Sequence, residues 1–287
     1  MEMKKKTIPE IRACKENGRK ISMLTAYDYP WALMVDRAGI DMVLVGDSLG
    51  MVVLGRDNTA SVTMDEMIHH TKVVSSVVQS ALVVGDMPFG SYNVSVEKAV
   101  ENANRFMKEA GVDAIKLEGG KDVAPVAAAI VKAGIPAQGH IGLTPQTATA
   151  LGGFKVQGKS AAAARALVED ARALEAAGCF SIVLEAIPSP IARLITAAVD
   201  IPTIGIGAGA DCDGQVLVTH DMVGLFDRFT PKFVKQFAKI SDTISGAISA
   251  YKNEVESGSF PAEEHGFTIA EEELEKLRDL EKEILER

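Results

Sequence analysis

Short β-branched runs alternate with longer amphipathic stretches along the chain from Ile21 onward. The runs at 21–28 (ISMLTAYD), 41–47 (DMVLVGD), 81–88 (ALVVGDMP) and 114–120 (AIKLEGG) read as strands. So do those at 135–142 (IPAQGHIG), 181–187 (SIVLEAI) and 202–209 (PTIGIGAG), with an eighth placed at 215–221 (QVLVTHD). Helical periodicity fills the intervals at 30–39, 63–80, 95–110, up to Lys132, and in the alanine-rich stretch 160–177. Glycine stops the first of these at Gly39 and the third at Gly111, while Thr63 or Asp65 supplies an N-cap for the second. Eight strands alternating with helices predict a parallel sheet, and eight is the number that closes a (β/α)8 TIM barrel. A doubly wound open sheet is the structural rival.

Two segments depart from this rhythm. Residues 141–159 (IGLTPQTATALGGFKVQGK) form a connection longer than a simple barrel loop, which marks a lid candidate. After the run ESGSFPAEEHGF, residues 270–287 place Leu274, Leu277, Leu280 and Ile284 at three- and four-residue steps among many charges. This reads as a solvated helix with one apolar stripe, suited to docking or oligomer contact. The expected organisation is a barrel over 1–265 and a C-terminal helical extension over 266–287.

Composition narrows the function classes. Of 287 residues, 47% are hydrophobic and 24% charged, which is globular, and 30 basic against 39 acidic residues give a net charge of −9. Such a chain, without a basic block, is a poor binder of nucleic-acid backbones or anionic membranes. Neither a secretory signal nor about 18 consecutive apolar residues can be read, so the expectation is a soluble cytoplasmic protein. Cys14, Cys179 and Cys212 are too few and too scattered for a disulfide framework or a zinc site.

Polar residues recur at the C-terminal ends of the predicted strands: Asp28, Asp47, Asp86, Glu118, His140, Glu185, and His220 with Asp221. In a closed barrel these ends converge on one mouth, where the active sites of this architecture lie. Alternation puts Lys116 and Glu118 on one face and Ile115 and Leu117 on the other. The same counting puts Asp47 on the face of Val45 and Val43. An inward Lys116 beside an inward Glu118 is costly unless a charge is paired or a ligand is held. Crowded carboxylates need a counterion, and an oxygen-only donor set suits a hard cation, Mg²⁺ better than a caged Ca²⁺. For any one aspartate the competing role is a helix N-cap or turn, and for the Lys116–Glu118 pair a structural ion pair plugging the barrel. The glycines of GIGAG (205–209) suit either a phosphate cradle or a tight strand-to-helix turn.

The segments VGDSLGMVVLG, GDMPF, IKLEGG, GHIGLTPQ, GGFKVQGK, LEAIP, IGIGAG, DGQVLVTHD and VESGSFPAEEH occur in this order over most of the chain. On them the chain closely resembles the ketopantoate hydroxymethyltransferase family of pantothenate and coenzyme A biosynthesis. The resemblance implies a (β/α)8 barrel related to the phosphoenolpyruvate mutase and isocitrate lyase group, commonly assembled as a homodecamer. It implies transfer of a hydroxymethyl unit from 5,10-methylenetetrahydrofolate to 3-methyl-2-oxobutanoate (2-oxoisovalerate), giving ketopantoate through an enolate stabilised by Mg²⁺.

Where the motifs match, Asp47, Asp86 and Glu118 correspond to the metal shell. Asp47, Ser48, Asp86 and Lys116 correspond to the oxoacid-binding positions, with Lys116 offsetting charge on the substrate carboxylate. Glu185 corresponds to the proton acceptor, and His140 stands where the family keeps a substrate-site histidine. No contiguous motif marks the folate contacts, and the tail beyond His265 runs past the end of many members. A Mg²⁺-dependent 2-oxoacid C–C or P–C lyase or mutase on the same barrel is the neighbouring alternative, weakened by the lack of a KKCGH-type cysteine motif. A catalytically silent scaffold leaves the mouth residues unexplained.

Overall fold

The computed structural model describes residues 4–150 and 152–285. The chain opens on a helix absent from the expectation, α1 (Ile8–Glu16), set by a reciprocal capping box between Thr7 and Glu10 with Pro9 in the first turn. The regular alternation follows: β1 (Ile21–Thr25), α2 (Tyr29–Arg37), β2 (Met42–Val45), α3 (Leu49–Val52), α4 (Met64–Ser75), β3 (Leu82–Asp86), α5 (Val96–Arg105). It continues with β4 (Ala114–Glu118), α6 (Ala124–Lys132), β5 (Ala137–Gly142), α7 (Ala161–Ala176), β6 (Ser181–Glu185), α8 (Ser189–Ala198), β7 (Thr203–Ile206) and β8 (Gly214–Leu217). All eight strands pair in parallel with their sequence neighbours, and β8 returns to β1, closing the barrel. Thr63 caps α4 with a second capping box, as its sequence suggests. The helix read over 95–110 is α5 extended by one π-turn, Phe106–Ala110, before Gly111 ends it at φ 70°.

Alternation along each strand builds two cores. Met23, Met42, Leu82, Val84, Val183, Ile204 and Val216 fill the barrel interior, joined at its lower end by Ile11 and Cys14 of α1. Val43, Val83, Ile115, Leu117, Ile182 and Leu184 face outward onto Val35, Val74, Phe106, Ile130, Leu174 and Ile195 of the helical ring.

Helix α1 lies across the N-terminal ends of the strands, and it and the residues just before it are pinned there by charge. Lys5 pairs with Asp113 at 2.9 Å, Lys6 with Asp41 at 2.6 Å, and Lys15 with Asp213 at 3.0 Å. Lys15 also donates to the carbonyls of Thr196 and Ile201. These three aspartates directly precede β2, β4 and β8.

Between β7 and β8 there is no helix among the described residues; a short loop of residues 207–213 turns straight into β8. The expectation of a strand-to-helix turn at GIGAG therefore fails. Gly207 and Gly209 are instead left-handed positions under close packing. A Cβ on Gly207 would lie 2.7 Å from Phe233, and one on Gly209 would lie 2.3 Å from Ser189 Oγ. The predicted eighth strand is shorter than read, its last residues turning into α9 (Thr219–Met222).

The chain separates into two compact units, one ending at Ala238 and the other beginning at Lys239. The second contains α10 (Ile240–Ser257), which the sequence reading missed, and α11 (Glu271–Leu285). Expected over 270–287, α11 is present, with Glu286 and Arg287 outside the described residues. No helix among the described residues is long and apolar enough to cross a membrane.

Candidate active site

Inward-facing positions near the C-terminal ends of the strands are polar, and pairing register stacks them side by side. Asp86 sits opposite Lys116, Glu118 opposite His140, and Gly142 opposite Glu185. Asp47, Asp86, Lys116, Glu118 and His140 are each at least 95% buried, and Glu185 closes the row at the wall of a cavity of about 410 Å³. All six, and Ser48, line that cavity.

Asp47 reaches this cluster against simple alternation. Strand β2 ends at Val45, whose side chain faces the helices, so a continued strand would point Asp47 outward as well. The chain leaves the strand at Gly46, and Asp47 turns in toward Asp86, donating its backbone N–H to Asp86 Oδ2 at 3.2 Å. A Cβ on Gly46 would lie 2.8 Å from Ser48 Oγ, so the close turn depends on the missing side chain. The facing of Asp47 predicted from Val43 and Val45 is corrected accordingly.

Lys116 is the cation at the centre. Its Nζ lies 2.9 Å from Asp86 Oδ1 and 3.7 Å from Glu118 Oε1. Burial opposes its charge, but Asp86, Glu118 and Asp47 together raise its pKa. His140 Nδ1 lies 3.3 Å from Glu118 Oε1 and its Nε2 3.2 Å from Glu185 Oε2. Burial and Lys116 work against an imidazolium there, yet the two glutamates outweigh them and raise its pKa to about 9.

The acids respond in opposite directions. Asp47 is pushed well above the usual carboxylate range by burial and by the charges of Asp86 and Glu118. Asp86 is raised as well, burial and Glu118 prevailing over Lys116. Glu118 is lowered, because His140 and Lys116 overcome its burial. Four carboxylates, Asp47, Asp86, Glu118 and Glu185, thus share the two cations, and negative charge is in excess at the Asp47–Asp86 side. Asp47, Asp86 and Glu118 supply oxygen donors to a hard cation in character, and one more positive charge would relieve the excess. Among the described residues, no group of three acids, histidines or cysteines is yet gathered around one point as a metal cage.

Two residues that strand-end reasoning passed over knit the cluster together. Gln146 donates from Nε2 to Asp47 Oδ2 (3.0 Å) and to the carbonyl of Met87 (2.9 Å), and from its backbone N–H to Glu118 Oε2 (3.1 Å). Tyr92 donates to Gln146 Oε1 at 2.6 Å. Gln146 belongs to the long connection after β5, in the short turn Pro145–Thr147, so the start of the lid candidate is built into the site. Phe154, Lys155 and Val156, farther along it, line the cavity. Ser48 is held by Tyr27, hydroxyl to hydroxyl at 2.8 Å.

Glu185 is presented by strained backbone. The next residue, Ala186, holds φ 48°, the sole left-handed non-glycine position among the described residues, and donates to the carbonyl of Ile206. Asp28 takes the alternative role: it is exposed and caps α2 by accepting from the N–H of Trp31. His220 packs between Tyr27 and Trp31, with 5.4 Å between ring centroids on each side. Its neighbour Asp221 lines the cavity.

The family model described as ketopantoate hydroxymethyltransferase matches residues 5–263. The chain belongs to that family. Among curated members, the 3-methyl-2-oxobutanoate hydroxymethyltransferase of Syntrophobacter fumaroxidans is 61% identical over 96% of this chain and 97% of its own length. That of Moorella thermoacetica is 60% identical over 91% of this chain and 97% of its own. The solved structure of phosphonopyruvate hydrolase superposes with a TM-score of 0.61 at 13% identity, covering 98% of both chains. A 2,3-dimethylmalate lyase of the PEP mutase/isocitrate lyase superfamily gives 0.55 at 16% identity, covering 96% of both. The ketopantoate hydroxymethyltransferase barrel therefore shares its fold with that superfamily.

Proposed function

We propose that the chain is a one-carbon transferase forming ketopantoate, for pantothenate biosynthesis, from 3-methyl-2-oxobutanoate and 5,10-methylenetetrahydrofolate. The carrying observation is the row of buried Asp47, Asp86, Lys116, Glu118 and His140 with partly buried Glu185 at the barrel mouth, in a chain 61% identical to a curated 3-methyl-2-oxobutanoate hydroxymethyltransferase. The lyase or mutase alternative draws only on the shared fold, since the solved lyase and hydrolase relatives stand at 13–16% identity.

In this reading Asp47, Asp86 and Glu118 would hold Mg²⁺, supported by their oxygen-only donors and their unbalanced negative charge. When bound, Mg²⁺ would supply Lewis acidity that draws electron density from the keto group of the oxoacid. Lys116 meets the substrate carboxylate, and Ser48, fixed by Tyr27, donates to the oxoacid. Glu185 takes the proton from C3. His140, bridging Glu118 and Glu185, positions that base and shares its charge through Nε2. The apolar lining of buried Leu143 and partly buried Ile206 limits the access of water to the carbanion so formed. One water is consumed overall as the methylene carbon becomes a hydroxymethyl group on C3 and tetrahydrofolate departs.

A homodecamer in the cytoplasm completes the reading, supported by the family resemblance. The test is an assay of 2-oxoisovalerate with methylenetetrahydrofolate, with and without Mg²⁺. Ketopantoate formed only with both additions is the expected result. Product without the folate would return the lyase or mutase reading.

A further inference from the structure

The cavity has a further polar feature outside the row from Asp47 to Glu185. Asp221 is 8% exposed, lines the cavity, and makes no side-chain hydrogen bond or ion pair among the described residues. Burial alone lifts its pKa to about 6, so it remains an anion above neutrality without a partner. A buried carboxylate in that condition is costly unless a ligand supplies donors.

Its surroundings suit a flat heterocycle. Phe226 and Phe229, T-shaped with centroids 5.5 Å apart, line the same cavity, and Phe229 is 51% exposed. Phe154 lines it from the β5 connection and is 56% exposed. Exposed rings at the edge of a cavity offer stacking surface. Lys155 and Lys232 line it too, and neither is in an ion pair among the described residues.

Resting on the transferase reading, we propose that Asp221 recognises the pterin of the folate co-substrate. The 2-amino group and N3–H of a pterin form a two-donor edge that one carboxylate accepts in parallel. The phenylalanines flank the bicyclic ring, and Lys155 and Lys232 face the carboxylates of the glutamate tail. The carbon to be transferred is thereby delivered from the side of the cavity that the oxoacid leaves open.

Trp31, the chain's one tryptophan, packs on His220 beside Asp221 and reports binding by fluorescence quenching. Titration with tetrahydrofolate should give a dissociation constant raised about 10- to 100-fold in Asp221→Asn, the loss expected for a charge-assisted pair of bonds. Binding of p-aminobenzoylglutamate, which lacks the pterin, should change by less than about twofold in the same variant. Lys232→Ala should weaken both ligands. Folate-independent exchange of the C3 proton of 2-oxoisovalerate with solvent serves as the control for the oxoacid half. Unchanged tetrahydrofolate affinity in Asp221→Asn overturns the assignment, as does equal weakening of both ligands. Loss of proton exchange together with folate binding would move Asp221 to the oxoacid side and also overturn it. If the native protein binds tetrahydrofolate through Asp221 yet forms no ketopantoate, the transferase reading falls while the pterin site stands.

Discussion

Buried aspartates at the two ends of the barrel live under opposite conditions. At the lower end Asp36 accepts from the backbone N–H groups of Gln79, Ser80 and Ala81 and from Ser80 Oγ. Asp41 accepts from Lys6, Arg19 and both donors of Ser22. Burial raises both, but these bonds prevail, and each is held below the usual carboxylate range. At the mouth Asp47 and Asp86 are raised, because donors are fewer and the neighbours are other acids. Satisfied acids tie elements together; crowded ones hold interaction energy open for something that is not protein.

That contrast can be broken by substitution. The largest effect is expected from Asp86→Asn, which should lower turnover by about a thousandfold or more, equivalent to ~4 kcal/mol of barrier, without lowering the melting temperature. A melting temperature that falls while turnover survives would make Asp86 structural, like its counterparts below. Glu185→Gln should slow exchange of the oxoacid C3 proton by about 10²–10⁴-fold while binding of 2-oxoisovalerate persists. Equal exchange in variant and native protein would shift the base to His140.

At the other end, Asp41→Ala should cost about 2 kcal/mol of stability, moderated because Lys6 and Arg19 are partly solvated. Its turnover should match the native enzyme, which denaturant melts and assays of the same sample will check. The smallest effect concerns pH. With folded pKa values lowered, Asp36 and Asp41 contribute stability fully above the ordinary carboxylate value of about 3.9. That contribution disappears as pH falls through their lowered folded values. Acid melts of Asp36→Asn should be flatter than native below about pH 4, and identical slopes would remove Asp36 from the lower-end network.

Much of this architecture was legible because strand periodicity and strand-end chemistry are local signals. All eight strands and the mouth residues Asp86, Lys116, Glu118, His140 and Glu185 fall where alternation puts them. What escaped was non-local or irregular. Gln146 enters from a loop, where no period exists, and its value lies in bonds to residues 28 and 99 positions away. Asp47 was misfaced because parity counting assumes a continuous strand, and Gly46 ends it. The absent helix between β7 and β8 was hidden by the expectation of strict alternation. Helix α1 was readable: Thr7, Pro9 and Glu10 spell a start signal, left out because the alternation was read only from Ile21 onward. The 265/266 boundary was drawn from a change in composition, and the compact units are Met1–Ala238 and Lys239–Arg287.

The pinning of α1 also sets an order of events during synthesis. The helix leaves the ribosome first, but the three partners of its Lys15, Asp213 and the carbonyls of Thr196 and Ile201, lie about 180–200 residues later. At typical elongation rates it waits on the order of 10–40 s for them. The earliest segment is therefore among the last to find its complete set of partners, and contacts of such sequence separation make closing the ring slow. A latch threaded first and fastened last ties completion of the fold to the arrival of β8.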